Sequence, residues 1–322
     1  MSGGDIITAA RRGPLPVSGG MAEPLARFAA PCLEVLNLEQ PRAVQAVHRR
    51  YLEAGARVIR TNTAAASPER LDRWRMHDEA FIISYMAAEH AAMTARAVAA
   101  ETGIARWVLG VARVESRVRH LGFLPLERVA AAARTMASGL AGGGVDAILV
   151  ETNQDAARLI AAVDGVRRGM ADAGCAVPVL LTLRYDPLFA TPQRDRITAE
   201  LARSAAAAAG LGIAVLGIAN ADLADGWVET LRVAARAFPG PLHVEAAPAS
   251  RDLGMILADP VLGARLALAG GGAGPQDTAR LCERLGTVPG RAADPGRSVA
   301  AAANDTAPIA DTGPALRPKG TR

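Results

Sequence analysis

Short runs of β-branched and aliphatic residues alternate along the chain with longer Ala- and Arg-rich stretches whose apolar positions recur at helical spacing. The short runs predict strands at Leu15–Ser18, Arg57–Thr61, Trp107–Val111, Ala147–Glu151, Val179–Leu183, Ile213–Gly217, Leu242–Ala246 and Arg265–Ala269. Between and after them, helices are expected near Pro41–Ala54, Asp78–Glu101, Leu126–Ala141, Asp155–Ala173, Ile197–Ala209, Asp225–Ala237, Arg251–Ala258 and Gln276–Leu285. Gly55, Gly103, Gly144, Gly174 and Gly212 fall where helices must stop, a position that often requires positive φ. Eight strand–helix pairs in about 270 residues predict a (β/α)8 TIM barrel. A doubly wound open sheet is the alternative, but its Gly-rich loop must follow a strand and open a helix. Gly210, Gly212 and Gly217 instead precede or end a strand.

This pattern divides the chain into a flexible N-terminus (1–13), a barrel (14–286) and a disordered tail (287–322), where Ala, Pro, Gly, Asp and Arg replace any apolar period. With 322 residues, 50% of them hydrophobic and 3% aromatic, the core must be built from Ala, Val, Leu and Ile rather than from rings. The net charge is +4 and every basic residue except Lys319 is arginine, with no basic block interleaved with aromatics, so no nucleic-acid partner is expected. Neither an apolar signal core in Met1–Pro16 nor a run approaching about 18 apolar residues is present, so no membrane association is expected. Cys32, Cys175 and Cys282 are odd in number and far apart, which fits neither a disulfide framework nor a CxxC zinc module. They imply a reducing, cytoplasmic setting.

In such a barrel the reacting groups come from the C-terminal ends of the strands and the loops that follow. Glu151 ends the apolar run Ala147–Val150, so it must face the mouth or be paired. There it holds a substrate ammonium or acts as a base, unless a barrel arginine or a loop N–H ties it down. Asp155 reads as a helix N-cap. Asn62, between Thr61 and Thr63, supplies a donor and an acceptor to a polar ligand, or else ties the loop backbone. His243 and Glu245 share a strand face and offer two metal ligands without an evident third; the simpler reading is a polar pair facing a neighbouring strand or solvent. His48, His77, His90 and His120 read as surface residues. Gly270–Gly274 forms either an N–H nest for a phosphate or a tight turn.

Several stretches resemble the homocysteine S-methyltransferase family in order and spacing over roughly residues 15 to 286. They are Leu36-Asn37-Leu38 with Pro41, Tyr51-Leu52-Glu53-Ala54-Gly55-Ala56, Thr61-Asn62-Thr63 and Gly143-Gly144-Val145-Asp146-Ala147-Ile148-Leu149-Val150-Glu151-Thr152. The resemblance implies a barrel that binds homocysteine at its mouth and coordinates the sulfur to zinc through three cysteines, one in an Asn-Cys motif after the sixth strand and two in a Gly-Gly-Cys-Cys-Gly motif after the eighth. Zinc converts a thiol of pKa about 8.5 into a thiolate. Here those motifs read Gly217-Ile218-Ala219-Asn220-Ala221 and Gly270-Gly271-Gly272-Ala273-Gly274, so Asn220, Gly272 and Ala273 mark degenerate metal-ligand positions. No cofactor is therefore expected, the family zinc included.

The family's Asp-Gly-Ala-Met-Gly-Thr appears as Ser18-Gly19-Gly20-Met21-Ala22-Glu23, and its Glu-Thr-Asn-Thr as Arg60-Thr61-Asn62-Thr63. The resemblance leaves Glu151, Asn62, Ser18, Gly19 and Gly20 as substrate-binding positions for a small amino-acid-like or thiol ligand. The expected function is a diverged methyltransferase-like barrel that binds this ligand, any methyl transfer it retains working without zinc; the alternatives are an inactive binding or regulatory barrel and a phosphate-binding barrel. Asp164-Gly165-Val166-Arg167-Arg168-Gly169 lacks the His of a cobalamin motif, so a separate corrinoid or methyl-donor protein is the expected partner if methyl transfer is retained.

Overall fold

The computed structural model describes residues 5–114, 117–118, 122–153, 156–184, 194–219, 227–246, 259, 262, 264–270 and 272–287. Eight parallel strands close into a barrel: β1 (Leu15–Val17), β2 (Val58–Arg60), β3 (Trp107–Arg113), β4 (Ala147–Asn153), β5 (Val179–Arg184), β6 (Val215–Ala219), β7 (Leu242–Ala246) and β8 (Ala264–Ala269). Neighbours follow chain order around the ring, and β8 closes on β1 with Leu15 opposite Leu266. The helices are α1 (Ile6–Arg12) before the barrel, then α2 (Pro41–Glu53), α3 (Ala80–Thr102), α4 (Leu126–Gly142), α5 (Ala156–Asp172), α6 (Arg194–Gly210), α7 (Trp227–Ala237) and α8 (Pro275–Arg284). This is the expected TIM barrel. The helix expected near Arg251–Ala258, the N-cap Asp155, His120 and residues 288–322 lie outside the described residues.

Three expectations are corrected. Residues 6–12, assigned to a flexible terminus, form α1: the Asp5 carboxylate accepts from Ile7 N and Thr8 N, and Ile6 and Ala10 are buried against the barrel floor. Seven residues are too few for a periodic signal. Gly217 lies in the middle of β6, not at its end, because the strand starts at Val215. His48 and His90, read as surface residues, are buried on α2 and α3; His77 is exposed.

Inward and outward positions alternate along each strand. Outward residues such as Ile59, Val108, Ile148, Leu181 and Val244 pack under the helices. The lower interior is a separate apolar cluster of Leu15, Val17, Val58, Leu109, Leu149, Leu180, Val215, Leu266 and Leu268, closed from below by Ile6 and Ala10 of α1. One step toward the C-terminal ends, the inward positions turn polar. Small residues let the helices pack closely with few rings: a Cβ at Gly143 would lie 2.4 Å from Tyr85 O, and one at Gly169 2.3 Å from Arg134 O. No described helix is long and apolar enough to cross a membrane.

Candidate functional site

Two ion pairs and a histidine occupy the upper interior. Arg113 ends β3 in register with Glu151 of β4, and the arginine reaches the carboxylate with Nε and Nη2, 2.7 and 2.6 Å from Oε2. Glu151 is 1% exposed while the Arg113 side chain is 26% exposed, so the pair spans from the buried layer to the opening. Arg60, ending β2, places Nη1 3.7 Å from Glu245 Oε1 of β7 and donates from Nη2 to Ala269 O at 3.2 Å. Its Nε is buried without an acceptor among the described residues.

His243, two residues before Glu245, lies on the same inward face. Its ring crosses β6 to reach β5, with Nε2 3.2 Å from Leu181 O and 3.0 Å from Thr182 Oγ1. The crossing is possible because Gly217, its register neighbour, has no side chain; a Cβ there would sit 1.9 Å from the ring. Burial pushes His243 down to about 4, which keeps it neutral near pH 7. The sequence reading of His243 and Glu245 as a pair facing a strand or solvent is thus sharpened: both face the barrel interior, and Glu245 answers Arg60.

The loop residues act differently. Asn62 Nδ2 donates to Leu33 O at 2.7 Å, and Asn37 Nδ2 donates to Asn62 O at 2.8 Å, so the Asn62 amide braces the loop after β1. Thr61 and Thr63 hydroxyls lie 2.7 Å apart; Thr63 donates to Val111 O and Thr61 Oγ1 accepts from Val111 N. Ser18 Oγ accepts from Arg60 N, tying β1 to β2. Gly19 donates to Thr278 Oγ1 and packs so tightly that a Cβ would lie 1.9 Å from Ala273 O. The Tyr51 hydroxyl sits 2.6 Å from Gly20 O and 2.9 Å from Ala273 O, joining the first and last loops. These positions shape one wall of the mouth.

At the last loop, Ala273 N donates to Gly270 O and Gly274 N to the Asp277 carboxylate, which caps α8. Two N–H groups of the proposed phosphate nest are therefore already engaged, one by a carboxylate at the helix N-terminus. This favours the tight turn. Asn220 lies outside the described residues, while Gly272 adopts φ +79°, and neither it nor Ala273 carries a donor side chain. Among the described residues no three His, Cys, Asp or Glu side chains lie close enough to hold a metal.

Sequence reasoning missed Arg113, whose signature was the one that marked Glu151: a charge ending an apolar strand. It also missed Glu34, buried in the loop after β1, whose carboxyl is raised by burial although Ala65 N donates to it and Arg70 and Arg113 oppose the rise.

A family model described as homocysteine S-methyltransferase matches residues 17–254. Methionine synthases of Mycobacterium leprae (strain TN) and Mycobacterium tuberculosis (strain ATCC 25618 / H37Rv) are each 33% identical over 190 residues, 58% of this chain. The chain spans 15% of the length of these relatives. Among solved structures, the homocysteine methyltransferase MmuM from Escherichia coli shares the fold. Its apo form gives a TM-score of 0.63 at 21% identity, covering 84% of this chain and 95% of that one. The metallated form gives 0.63 at 21%, covering 85% and 96%.

Proposed function

Since the chain belongs to the homocysteine S-methyltransferase family, we propose that its barrel mouth binds a small amino-acid-like or thiol substrate against Glu151 and serves methyl transfer without the thiolate-held zinc. The observation that carries this reading is Glu151 itself: a carboxylate 1% exposed, in the C-terminal half of β4, oriented by a guanidinium that opens toward solvent. A carboxylate fixed in a low-dielectric layer is a strong acceptor for an ammonium group. Arg113 holds Oε2 in place, and substrate binding draws on the same carboxyl group.

The residues present do not fit a tetrahedral thiolate site. Gly272 and Ala273 offer no donor side chain, and the Ala273 carbonyl already faces the Tyr51 hydroxyl. Cys32 is buried in the loop after β1 with its thiol pushed up by burial. Cys282 of α8 is pushed up to about 11 for the same reason, and Cys175 precedes β5 at the opposite end of the barrel. The methyl donor in this reading is a separate molecule, a corrinoid or methyl-donor protein.

Calorimetric titration with L-homocysteine and L-methionine tests the anchor. Glu151→Gln should weaken binding at least tenfold, roughly 1.4 kcal/mol; equal affinity in the variant removes Glu151 from the site. Elemental analysis of dialysed protein should find zinc well below one ion per chain. Stoichiometric zinc would overturn the zinc-free half of the proposal and direct attention to His243 and Glu245.

A further inference from the structure

Among the buried atoms of the polar layer that the described residues leave without a hydrogen-bond partner are Arg60 Nε and His243 Nδ1. They belong to one cluster, because Glu245, which faces Arg60, lies two residues from His243 on the same inward face of β7. A guanidinium has five N–H donors and cannot shed its charge to escape burial. Arg60 is 6% exposed, and its described contacts are one carbonyl at 3.2 Å and one carboxylate oxygen at 3.7 Å, beyond hydrogen-bond length. Contrast Arg113, which closes on Glu151 at 2.6 and 2.7 Å with two nitrogens.

Arg60 also lies in the right place. Its Nη2 reaches under the first loop, 3.9 Å from where a Gly20 Cβ would stand, and beside Ala269 at the end of β8. His243 supplies the matching polarity: Leu181 O accepts only, so Nε2 carries the ring proton and Nδ1 presents a lone pair. The layer thus offers an unanswered donor on a cation and an unanswered acceptor on a neutral ring.

We propose that Arg60 is the carboxylate-recognising residue of this barrel, so that the site selects ligands carrying both an ammonium for Glu151 and a carboxylate for Arg60. This rests on the amino-acid reading above and adds the group that sets specificity. A planar fork facing a carboxylate supplies geometric selection that a lone charge does not. An amine without a carboxylate leaves Arg60 as it stands in the free protein, and an acid without an amine brings no ammonium to Glu151.

The test titrates the full chain near pH 6.5, where α-amines are protonated, with L-methionine, L-methioninamide, 3-(methylthio)propylamine and 4-(methylthio)butanoate. The wild type should bind L-methionine at least tenfold more tightly than each of the other three. Arg60→Met should bring L-methionine down to the affinity of its amide while leaving the amide unchanged; Arg60→Lys should fall between. Because Arg60→Met leaves Glu245 without its guanidinium, the Arg60→Met/Glu245→Gln double variant, checked by circular dichroism, carries the same expectation with both charges removed. Wild-type protein that binds L-methionine and its amide equally overturns the role of Arg60, a bridging water then filling the site, and leaves the Glu151 reading standing. Discrimination that survives in both Arg60 variants also overturns it. Failure of the wild type to bind any of the four ligands overturns the amino-acid reading and this proposal together.

Discussion

Gly217→Ala should destabilise the protein by about 3 kcal/mol, roughly 6 °C or more in Tm, although it adds a single methyl group. The methyl would enter the space filled by the His243 ring, 1.9 Å from its Cε1 and Nε2. That ring is completely buried and held to β5 by Leu181 O and Thr182 Oγ1, so it cannot swing aside without losing both contacts. Overpacking and the lost hydrogen bonds therefore add, the latter at about 1 kcal/mol each. Removing the ring should relieve the clash: Gly217→Ala/His243→Ala should be more stable than the sum of the single changes predicts, by about 1 kcal/mol or more. Urea unfolding of the four proteins measures this directly. A Gly217→Ala variant within about 0.5 kcal/mol of wild type would show that β6 and β7 do not meet as described.

Acid should weaken the fold well before the carboxylates titrate. His48, fully buried on α2, has no partner for either ring nitrogen among the described residues, and burial, with His90 nearby, pushes it down to about 3. The folded-state value lies below that of the unfolded chain, near 6.5, so the unfolded state binds the extra proton between them. Stability from His48 is present in full above about pH 6.5 and is lost as pH falls toward 3. His243 acts with the same sign down to about 4. Between pH 6.5 and 5 each neutral histidine costs the folded state on the order of 2 kcal/mol, so the pair removes on the order of 4. His48→Leu should cut that pH dependence by about half and leave the protein as stable as wild type or more so at pH 7, since it replaces unsatisfied buried nitrogens with an apolar group. Urea midpoints at the two pH values decide the matter; an unchanged pH slope in His48→Leu would mean that His48 is not buried neutral.

The placing of the strands and the prominence of Glu151 were legible because both are local. An apolar run of five residues marks a strand wherever it falls, and a carboxylate at its end stands out against it. What Glu151 does was not local. Arg113, its partner, is 38 residues away and lay just past the expected end of its strand. The contacts that let Asn62 brace a loop come from Leu33 and Asn37, which arrive from another loop. His48 and His90 carry no sequence mark of burial, because one polar residue on a helix says nothing about which neighbour covers it.

The (β/α)8 barrel, the strand ends as the place for chemistry and the absence of cysteine from the last-loop motif could all be read along the chain. Those follow from periodicity and residue identity along the chain. Folding in three dimensions was needed to place α1 under the floor, Arg60 opposite Glu245 across the closed ring, and a glycine in β6 beneath a histidine from β7. Each depends on strand register and barrel closure, which bring together residues from separate βα units that no pattern within one unit can pair.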